Sequence, residues 1–270
     1  MVLFGGLDPG EDYLYHYTSA AILDLILRGG SLRLGPYAGT RDPRENLAWH
    51  PGFSAAEDVD SSPEVFDMAS VSEELDRAIR QRARMTCLTI DYASDAPFDS
   101  FSRGWGRARM WDQYADRHRG AVLMFERSAL DRNMQEALGP KGPFFAAPVV
   151  YADEPLNTTH ELHFDVGRVL AGGLDKLADE VVQEHGRSLF FGKNTDWQTE
   201  SEYRYLVLSD GEEEFVPVGD ALVGVVLGMD FPPDERPLVR SRLRELGRPE
   251  LPVVAARWHN GMPLLVPSGV

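Results

Sequence analysis

The order of apolar and polar residues predicts short strands and helices along most of the chain. Tyr13–Tyr17 has the composition of a strand, and Ser19 is suited to cap a helix over Ala20–Arg28, where apolar residues recur at helical spacing. A Gly-Gly pair at 29–30 ends that helix, and Ser31–Leu34 alternates as a second strand. The amino-terminal part therefore begins strand, helix, strand.

The same patterns predict the later elements. The predicted helices are Val71–Arg84, Arg109–Arg117, Leu130–Leu138, Leu162–His185 with an interruption at 172–173, and Asp234–Leu246. The predicted strands are Met85–Asp91, Ala121–Glu126, Ala146–Tyr151, Tyr203–Leu208, Leu222–Gly228, Pro252–Trp258 and Met262–Val266. The last two strands are expected to form a hairpin, because Asn-Gly at 260–261 is a strong turn signal.

This order lacks regular βαβ alternation and predicts an α+β fold, with a mixed, largely antiparallel sheet and flanking helices. Without an internal repeat or a linker, the simplest organisation is a single domain over residues 1–270. Residues 54–70, acidic and small in their first part, predict a mobile loop, and residues 128–190 a helical elaboration.

The composition narrows the classes of function. The chain has 27 Lys+Arg against 43 Asp+Glu, a formal charge of -16, which disfavours an extended DNA-binding face. Cys87 is the one cysteine, so neither an intrachain disulfide nor a cysteine-rich zinc site is possible. No apolar run approaches the roughly 20 residues that span a bilayer, and no secretory signal is evident. We expect a cytoplasmic protein without a membrane partner.

The richest chemistry lies in Lys193–Leu208, where Glu200 and Glu202 precede an alternating aromatic and aliphatic run. If both glutamates are in extended chain, they point to one face about 7 Å apart. Two carboxylates so placed repel each other unless a cation or a ligand requires them there. Lys193 and Arg204 are candidates to neutralise them, and surface charge at a strand edge is the competing interpretation.

Further candidate groups come from three other segments. His16 lies within Tyr15-His16-Tyr17-Thr18, directly before a helix, where it can face a cleft or be a half-buried structural histidine. The segment Trp111–Gly120 resembles an amphipathic helix with a polar histidine at its end, and Asp42-Pro43 is common turn chemistry. The sequence has no phosphate-binding glycine loop, nucleophile elbow or zinc-protease motif.

In combination these motifs resemble the bacterial family called domain of unknown function 2971, over a span from about Tyr13 to the final hairpin. The residues that carry the resemblance are Tyr15-His16-Tyr17-Thr18-Ser19, Asp42-Pro43-x-Glu45, Trp111-x-x-Tyr114-Ala115-x-x-His118-x-Gly120 and Lys193…Trp197…Glu200-x-Glu202-Tyr203-Arg204. Arg41 departs from the asparagine usual in that family, and Leu88-Thr89 from the Phe-Ser that commonly follows the strand cysteine.

The layout is also similar to that of the ADP-ribosyltransferase superfamily, which binds NAD. That resemblance implies that His16 contacts the adenosine-side ribose and that Glu202 holds the other ribose and stabilises its developing positive charge. Glu200 would accept a proton from the acceptor or from water. Thr89 or Tyr114 would supply the middle position.

The remaining binding contacts are implied by the same resemblance. Tyr17 or Trp111 would stack on nicotinamide, next to Thr18 in the first strand, and Lys193 or Arg204 would meet the pyrophosphate. The expected substrate is NAD, with transfer to an unknown acceptor or to water, as in a toxin or a phage-defence enzyme.

Two alternatives stay open at this point. One is a non-catalytic module that binds a nucleotide or a nucleic-acid end in the same cleft. The other is a metal-dependent hydrolase that uses His16, His118, Asp42 and Glu202.

Overall fold

The computed structural model describes residues 12–92, 99–156, 160–211 and 213–269. In these ranges the strands are β1 Tyr13–Thr18, β2 Ser31–Pro36, β3 Gly52–Ser54, β4 Ala83–Ile90, β5 Ala121–Glu126, β6 Phe144–Pro148, β7 Val150–Tyr151, β8 His163–Asp165, β9 Gly192–Lys193, β10 Glu202–Leu208, β11 Glu214–Pro217, β12 Leu222–Leu227, β13 Val253–His259 and β14 Met262–Pro267. The helices are α1 Ala20–Gly29, α2 Pro43–Asn46, α3 Met68–Asp76, α4 Ala108–Tyr114, α5 Arg127–Leu138, α6 Val166–Ala171, α7 Leu174–Phe190 and α8 Arg236–Glu245.

Within the described ranges the main sheet has ten strands and is predominantly antiparallel, with β12 and β13 parallel. Its path runs β11-β2-β4-β1-β5-β12-β13-β14, and β10 joins between β4 and β6. Strand β10 pairs along β4 from Glu202–Thr89 to Leu208–Ala83. Strands β1 and β2 therefore share the other edge of β4, β1 near Thr89 and β2 near Met85. The α+β class with a mixed, mostly antiparallel sheet is confirmed.

The two faces of the main sheet carry different hydrophobic clusters. A first cluster, with Leu14, Leu88 and Tyr203, covers one face. On the opposite face, a second cluster packs around Phe190 and Leu206, and a third packs around Tyr15, Tyr17 and Trp111. Because side chains alternate along a strand, neighbouring residues of β1 or β10 contribute to different clusters.

Most predicted elements are confirmed, with shifted ends. Ser19 caps α1 by accepting a hydrogen bond from the backbone N–H of Ile22 at 3.3 Å. In the carboxyl-terminal hairpin His259 pairs directly with Met262, so Asn260 and Gly261 form the turn. These two residues have φ of 50° and 82°. That geometry favours Asn-Gly, as the sequence predicts.

Two expectations about the middle of the chain were wrong in detail. The predicted helix Leu162–His185 does not begin at Leu162, because His163–Asp165 forms β8. Its predicted interruption at 172–173 is confirmed, since Gly172 ends α6 and Gly173, with a φ of 69°, precedes α7. The segment 128–190, whose residues 157–159 lie outside the described ranges, is not purely helical. It also supplies β6, which pairs with β10 in the main sheet.

Helix α4 ends at Tyr114, earlier than predicted, because the chain then enters a left-handed turn. Residues Asp116, Arg117 and His118 have φ of 46°, 53° and 68°. Each such non-glycine residue costs about 1–2 kcal/mol. Gly120 permits the close return of the chain, since a Cβ there would lie 2.0 Å from the carbonyl oxygen of Thr18.

Candidate functional site

Glu200 and Glu202 converge on the ammonium group of Lys193. Its Nζ lies 2.7 Å from Oε2 of Glu200 and 3.1 Å from Oε2 of Glu202. Glu200 ends a 3-10 turn over Thr195–Glu200, and Glu202 begins β10. Ser201, between them, is left-handed with a φ of 41°, so the glutamates meet without lying in one continuous strand. The predicted convergence is correct, but the extended backbone assumed for Glu200 is not.

Arg204 extends this arrangement on the other side of Glu202. Its Nε and Nη2 lie 2.6 Å and 3.1 Å from the two carboxylate oxygens of Glu202. Nη2 also donates to Glu45, while Nη1 donates to the carbonyl oxygen of Phe190 at 2.5 Å. The guanidinium is fully buried, so its partners are all supplied by the protein.

A single helical turn, α2, delivers Glu45 to Arg204. Asp42 caps this turn by accepting the N–H of Arg44 at 2.9 Å, and Pro43 occupies its first position. At the other end, the guanidinium of Arg80 donates to the carbonyl oxygens of Glu45 and Asn46, both at 3.1 Å. The Asp-Pro-x-Glu motif is therefore the start of a helix that presents a buried carboxylate.

The carboxylate of Glu200 binds the buried Lys193 through one oxygen and the partly exposed Tyr114 through the other. The hydroxyl of Tyr114, at the end of α4, donates to Oε1 of Glu200 at 2.6 Å, and 43% of Tyr114 is exposed. The ring of Trp197, which is partly exposed, has its centroid 4.7 Å from Nζ of Lys193. Two aromatic side chains thus lie beside the Lys193–Glu200 pair.

We call the resulting set of side chains the buried ion network. Its members are Glu45, Arg204, Glu202, Lys193 and Glu200. With every group ionised, three carboxylates face two cations and the network carries one net negative charge. Each buried ion costs several kcal/mol of desolvation, and hydrophobic replacement of such sets is often neutral or stabilising. The network is therefore a candidate functional feature.

Within the network, the pKa shifts favour the charged forms of Glu202 and Lys193, whereas burial raises the pKa of Glu45. Burial by itself would raise the pKa of Glu202, but the charges of Arg204 and Lys193 outweigh it and lower the pKa to about 2. Burial opposes the charge of Lys193, yet Glu202 and Glu200 hold the pKa of its ammonium above the usual range. Burial and the charge of Glu200 both raise the pKa of Tyr114, which keeps its phenol protonated as a donor.

His16 and Glu202 lie in the same region of the sheet but on opposite faces. Thr89 of β4 pairs with Tyr15 on one side and with Glu202 on the other, so these three side chains share a face. His16, the next residue, pairs with Leu123 of the first cluster. Its Nδ1 lies 3.3 Å from the carbonyl oxygen of Cys87, and burial lowers its pKa.

The other predicted contacts of the first strand and of α4 are mostly internal. Trp111 is fully buried, with Tyr17 edge-on at 5.3 Å between ring centroids. The hydroxyl of Tyr17 donates to the carbonyl oxygen of Gly104 at 2.5 Å. Thr18 is buried where β1 ends. Tyr114, Trp197 and Tyr151 are thus partly exposed aromatic side chains beside the two glutamates.

The charged residues predicted to meet a pyrophosphate are engaged elsewhere, since Lys193 and Arg204 both bind carboxylates inside the protein. The residues of the metal-hydrolase alternative are not assembled either. Within the described ranges, no group of three or more His, Cys, Asp or Glu side chains is arranged to hold a metal ion. His118 instead stacks on Trp111, with ring centroids 6.1 Å apart.

Comparison with known proteins agrees with the sequence motifs. A family model described as "Protein of unknown function (DUF2971)" matches residues 110–205. The match confirms, over that segment, the family resemblance that the motifs indicate, and it contains Tyr114, Lys193, Glu200, Glu202 and Arg204. No curated protein and no solved structure matched the chain.

One further result concerns membranes. In the part of the chain that the structure describes, no helix has both the length and the apolar composition needed to cross a bilayer.

Sequence reasoning left three contributors to the site without a role. Glu45 is signalled by Asp-Pro-x-Glu, but its partner is 159 positions away. Tyr151 accepts the backbone N–H of Glu202 at 2.8 Å, and no motif marks it. Arg107 belongs to none of the motifs, yet it donates to the carbonyl oxygen of Thr199 beside Glu200.

Proposed function

We propose that the chain is an ADP-ribosyltransferase-like enzyme that cleaves the nicotinamide–ribose bond of NAD, with the ribosyl group passing to an acceptor or to water. The observation that carries the proposal is the buried ion network, which holds one carboxylate more than it holds cations and ends at Tyr114 and Glu200. With every group ionised, its net negative charge suits a reaction whose transition state develops positive charge on a ribose.

The chemistry needs a carboxylate close to the reacting sugar. When the C–N bond breaks, its electron pair leaves with neutral nicotinamide, and the ribosyl carbon acquires oxocarbenium character. A nucleophile then adds to that carbon and loses a proton. Glu200 is suited to bind a ribose hydroxyl or to take that proton, since its Oε1 partner is the partly exposed Tyr114.

Glu202 has a supporting part in this proposal. Both of its oxygens are engaged by the buried cations Arg204 and Lys193, and its low pKa keeps it ionised. It would hold Lys193 against Glu200 and contribute negative charge from the buried side of the site. This reverses the two roles that the family resemblance implies. It also gives His16, on the other face of the sheet, no contact with the same sugar.

The test is release of nicotinamide from NAD, measured by chromatography with the wild type and with Glu200→Gln. We expect the wild type to release nicotinamide and the variant to lose about 100-fold or more in rate. Asp196→Asn is the matched control, because Asp196 is exposed in the same 3-10 turn. Unchanged release by Glu200→Gln, from an active wild type, would remove Glu200 from the chemistry.

His16→Asn tests whether His16 takes part in the reaction, as the superfamily resemblance implies, or lies outside the site, as its position on the opposite face of the sheet indicates. Asparagine retains a donor for the carbonyl oxygen of Cys87, so the variant should fold and should release nicotinamide at close to the wild-type rate. Loss of release from a folded His16→Asn protein would restore His16 to the site and overturn our assignment.

A second candidate is a non-catalytic module that binds a nucleotide through Tyr114 and Trp197. The observation that favours it is that Glu200 and Glu202 are already paired with Lys193, so neither is a free base. Calorimetry with NAD and ADP-ribose distinguishes the two candidates. Saturable heat without release of nicotinamide would support the binding module.

A further inference from the structure

Arg107 joins three places in the chain that meet at Glu200. Its Nη1 donates to the carbonyl oxygen of Thr199 at 2.6 Å and to Oγ of Ser201 at 2.7 Å, and its Nη2 donates to the carbonyl oxygen of Ile90 at 2.9 Å. Thr199 and Ser201 are the two neighbours of Glu200, and Ile90 ends β4. One planar guanidinium therefore binds both neighbours of the glutamate, Thr199 through its backbone carbonyl oxygen and Ser201 through its side-chain hydroxyl.

The backbone between these contacts needs such support. Ser201 adopts the left-handed backbone conformation, with φ of 41° and ψ of 60°, which residues other than glycine rarely adopt. This residue redirects the chain from the 3-10 turn into β10, so the carboxylates before and after it both reach Lys193. The carbonyl oxygen of Ser201 also accepts the N–H of Ile90 at 2.9 Å, next to the Arg107 contact.

Arg107 and Tyr114 lie at opposite ends of one helix. Arg107 immediately precedes α4 and Tyr114 is its last residue, so seven residues, about 10 Å of helix, separate the two contacts with the Glu200 segment. Arg107 holds the backbone of that segment, and Tyr114 holds the carboxylate of Glu200. Helix α4 thus contacts the glutamate region from both of its ends.

We propose that Arg107 is a positioning residue for Glu200: it stabilises the left-handed Ser201 and so directs the Glu200 carboxylate toward Lys193 and Tyr114. Its consequence for NAD cleavage rests on the proposed function, but its effect on the position of Glu200 does not. The two claims therefore have separate measurements.

The first measurement does not depend on activity. The protein is labelled with tyrosine that carries ¹³C at the ring Cζ, and the resonance of Tyr114 is assigned by its loss in Tyr114→Phe. We expect Arg107→Met to shift this resonance and to lower the pH at which the phenol titrates, since Glu200 no longer lies against it. Arg107→Lys, which keeps the charge without the planar fork, should give a smaller shift.

Arg109→Met is the matched control. Arg109 is exposed, and its contacts with the same turn, to the carbonyl oxygen of Asp196 and to Oγ1 of Thr199, are both long at 3.4 Å. The Tyr114 resonance should stay in place in this variant. An unmoved resonance in Arg107→Met as well would overturn the proposal.

The role of Ser201 has its own variant, and Arg107→Lys takes the place of Arg107→Met in this test if Arg107→Met folds poorly. Glycine adopts the left-handed conformation without strain, so adding Ser201→Gly to Arg107→Met should return the Tyr114 resonance toward its wild-type position. If the double variant keeps the full shift of Arg107→Met, then Arg107 does not act through Ser201, and the proposal is wrong.

The second measurement is kinetic. Arg107→Met should lower kcat for nicotinamide release by at least tenfold with KM within about threefold, and Arg107→Lys should recover part of the loss. Equal kcat in Arg107→Met and wild type would contradict a positioning role. If the wild type releases no nicotinamide, the proposed function fails, and the Tyr114 resonance still decides the position of Glu200.

Discussion

Glu45 and Arg204, 159 positions apart, form a buried ion pair at the inner end of the network. Arg204 is fully buried and Glu45 is 1% exposed, so neither has water as an alternative partner. The ring of Tyr37 lies 6.0 Å from the guanidinium carbon, and Phe190 supplies a carbonyl oxygen. The ion pair is therefore embedded in the second hydrophobic cluster, to which both aromatic residues belong.

Arg204→Met should strongly destabilise the protein, because it leaves Glu45 and Glu202 buried without their shared cation. Removing one partner of a buried ion pair costs about 3–5 kcal/mol in the free energy of unfolding. The control is Arg28→Met, because Arg28 also pairs with a carboxylate, that of Asp24, while its side chain is 58% exposed. We expect the control to cost less than about 1 kcal/mol. Urea unfolding measures the free energy of unfolding of both variants. Equal losses would show that burial does not increase the cost of removing the arginine.

The stability of the protein should depend on the ionisation of Glu202 in acid. Its pKa of about 2 in the folded protein lies below the ordinary 4.5, so the unfolded chain takes up the proton first as the pH falls. The stabilising contribution is complete above pH 4.5 and is lost as the pH approaches about 2. The difference in unfolding free energy between wild type and Glu202→Gln should shrink over that interval. A difference that is constant with pH would show that the pKa is not lowered.

Tyr114→Phe should reduce nicotinamide release. The change removes the hydrogen bond to Glu200, and a hydrogen bond to a charged group contributes about 1.5–3 kcal/mol, which corresponds to roughly 10- to 100-fold in rate. Tyr92→Phe is the control, since the two tyrosines are 43% and 44% exposed. Chromatographic assay of both variants checks the prediction. Equal rates would place the Tyr114 hydroxyl outside the reaction.

Gly120→Ala should destabilise the protein by about 3 kcal/mol, at the upper end for overpacking. Its Cβ would lie 2.0 Å from the carbonyl oxygen of Thr18 and 3.0 Å from Ala115, and both contacts are with backbone that cannot rotate away. Gly219→Ala places its Cβ at an ordinary 3.9 Å from Leu246, so we expect a change within about 0.5 kcal/mol. Thermal or urea unfolding of the pair tests the prediction. A tolerated Gly120→Ala would mean that the turn after α4 is loosely held.

The sequence by itself determined the elements whose signals are local. The α+β class, the strand Ala121–Glu126 and the Asn260-Gly261 hairpin follow from side-chain periodicity and turn chemistry. The convergence of Glu200 and Glu202 near a cation was also predictable, because Lys193 is only seven positions from Glu200. Such features depend on interactions within one segment.

The tertiary structure decided which groups meet at the site. His16 and Tyr15 are neighbours in the chain, but the pairing of Thr89 with both Tyr15 and Glu202 turns His16 to the opposite face. A shift of one residue in register would reverse that outcome, and register depends on how whole strands pack. The partnership of Glu45 with Arg204 likewise required α2 and β10 to meet through the fold. Side-chain direction and long-range pairing are global properties, and no local pattern encodes them.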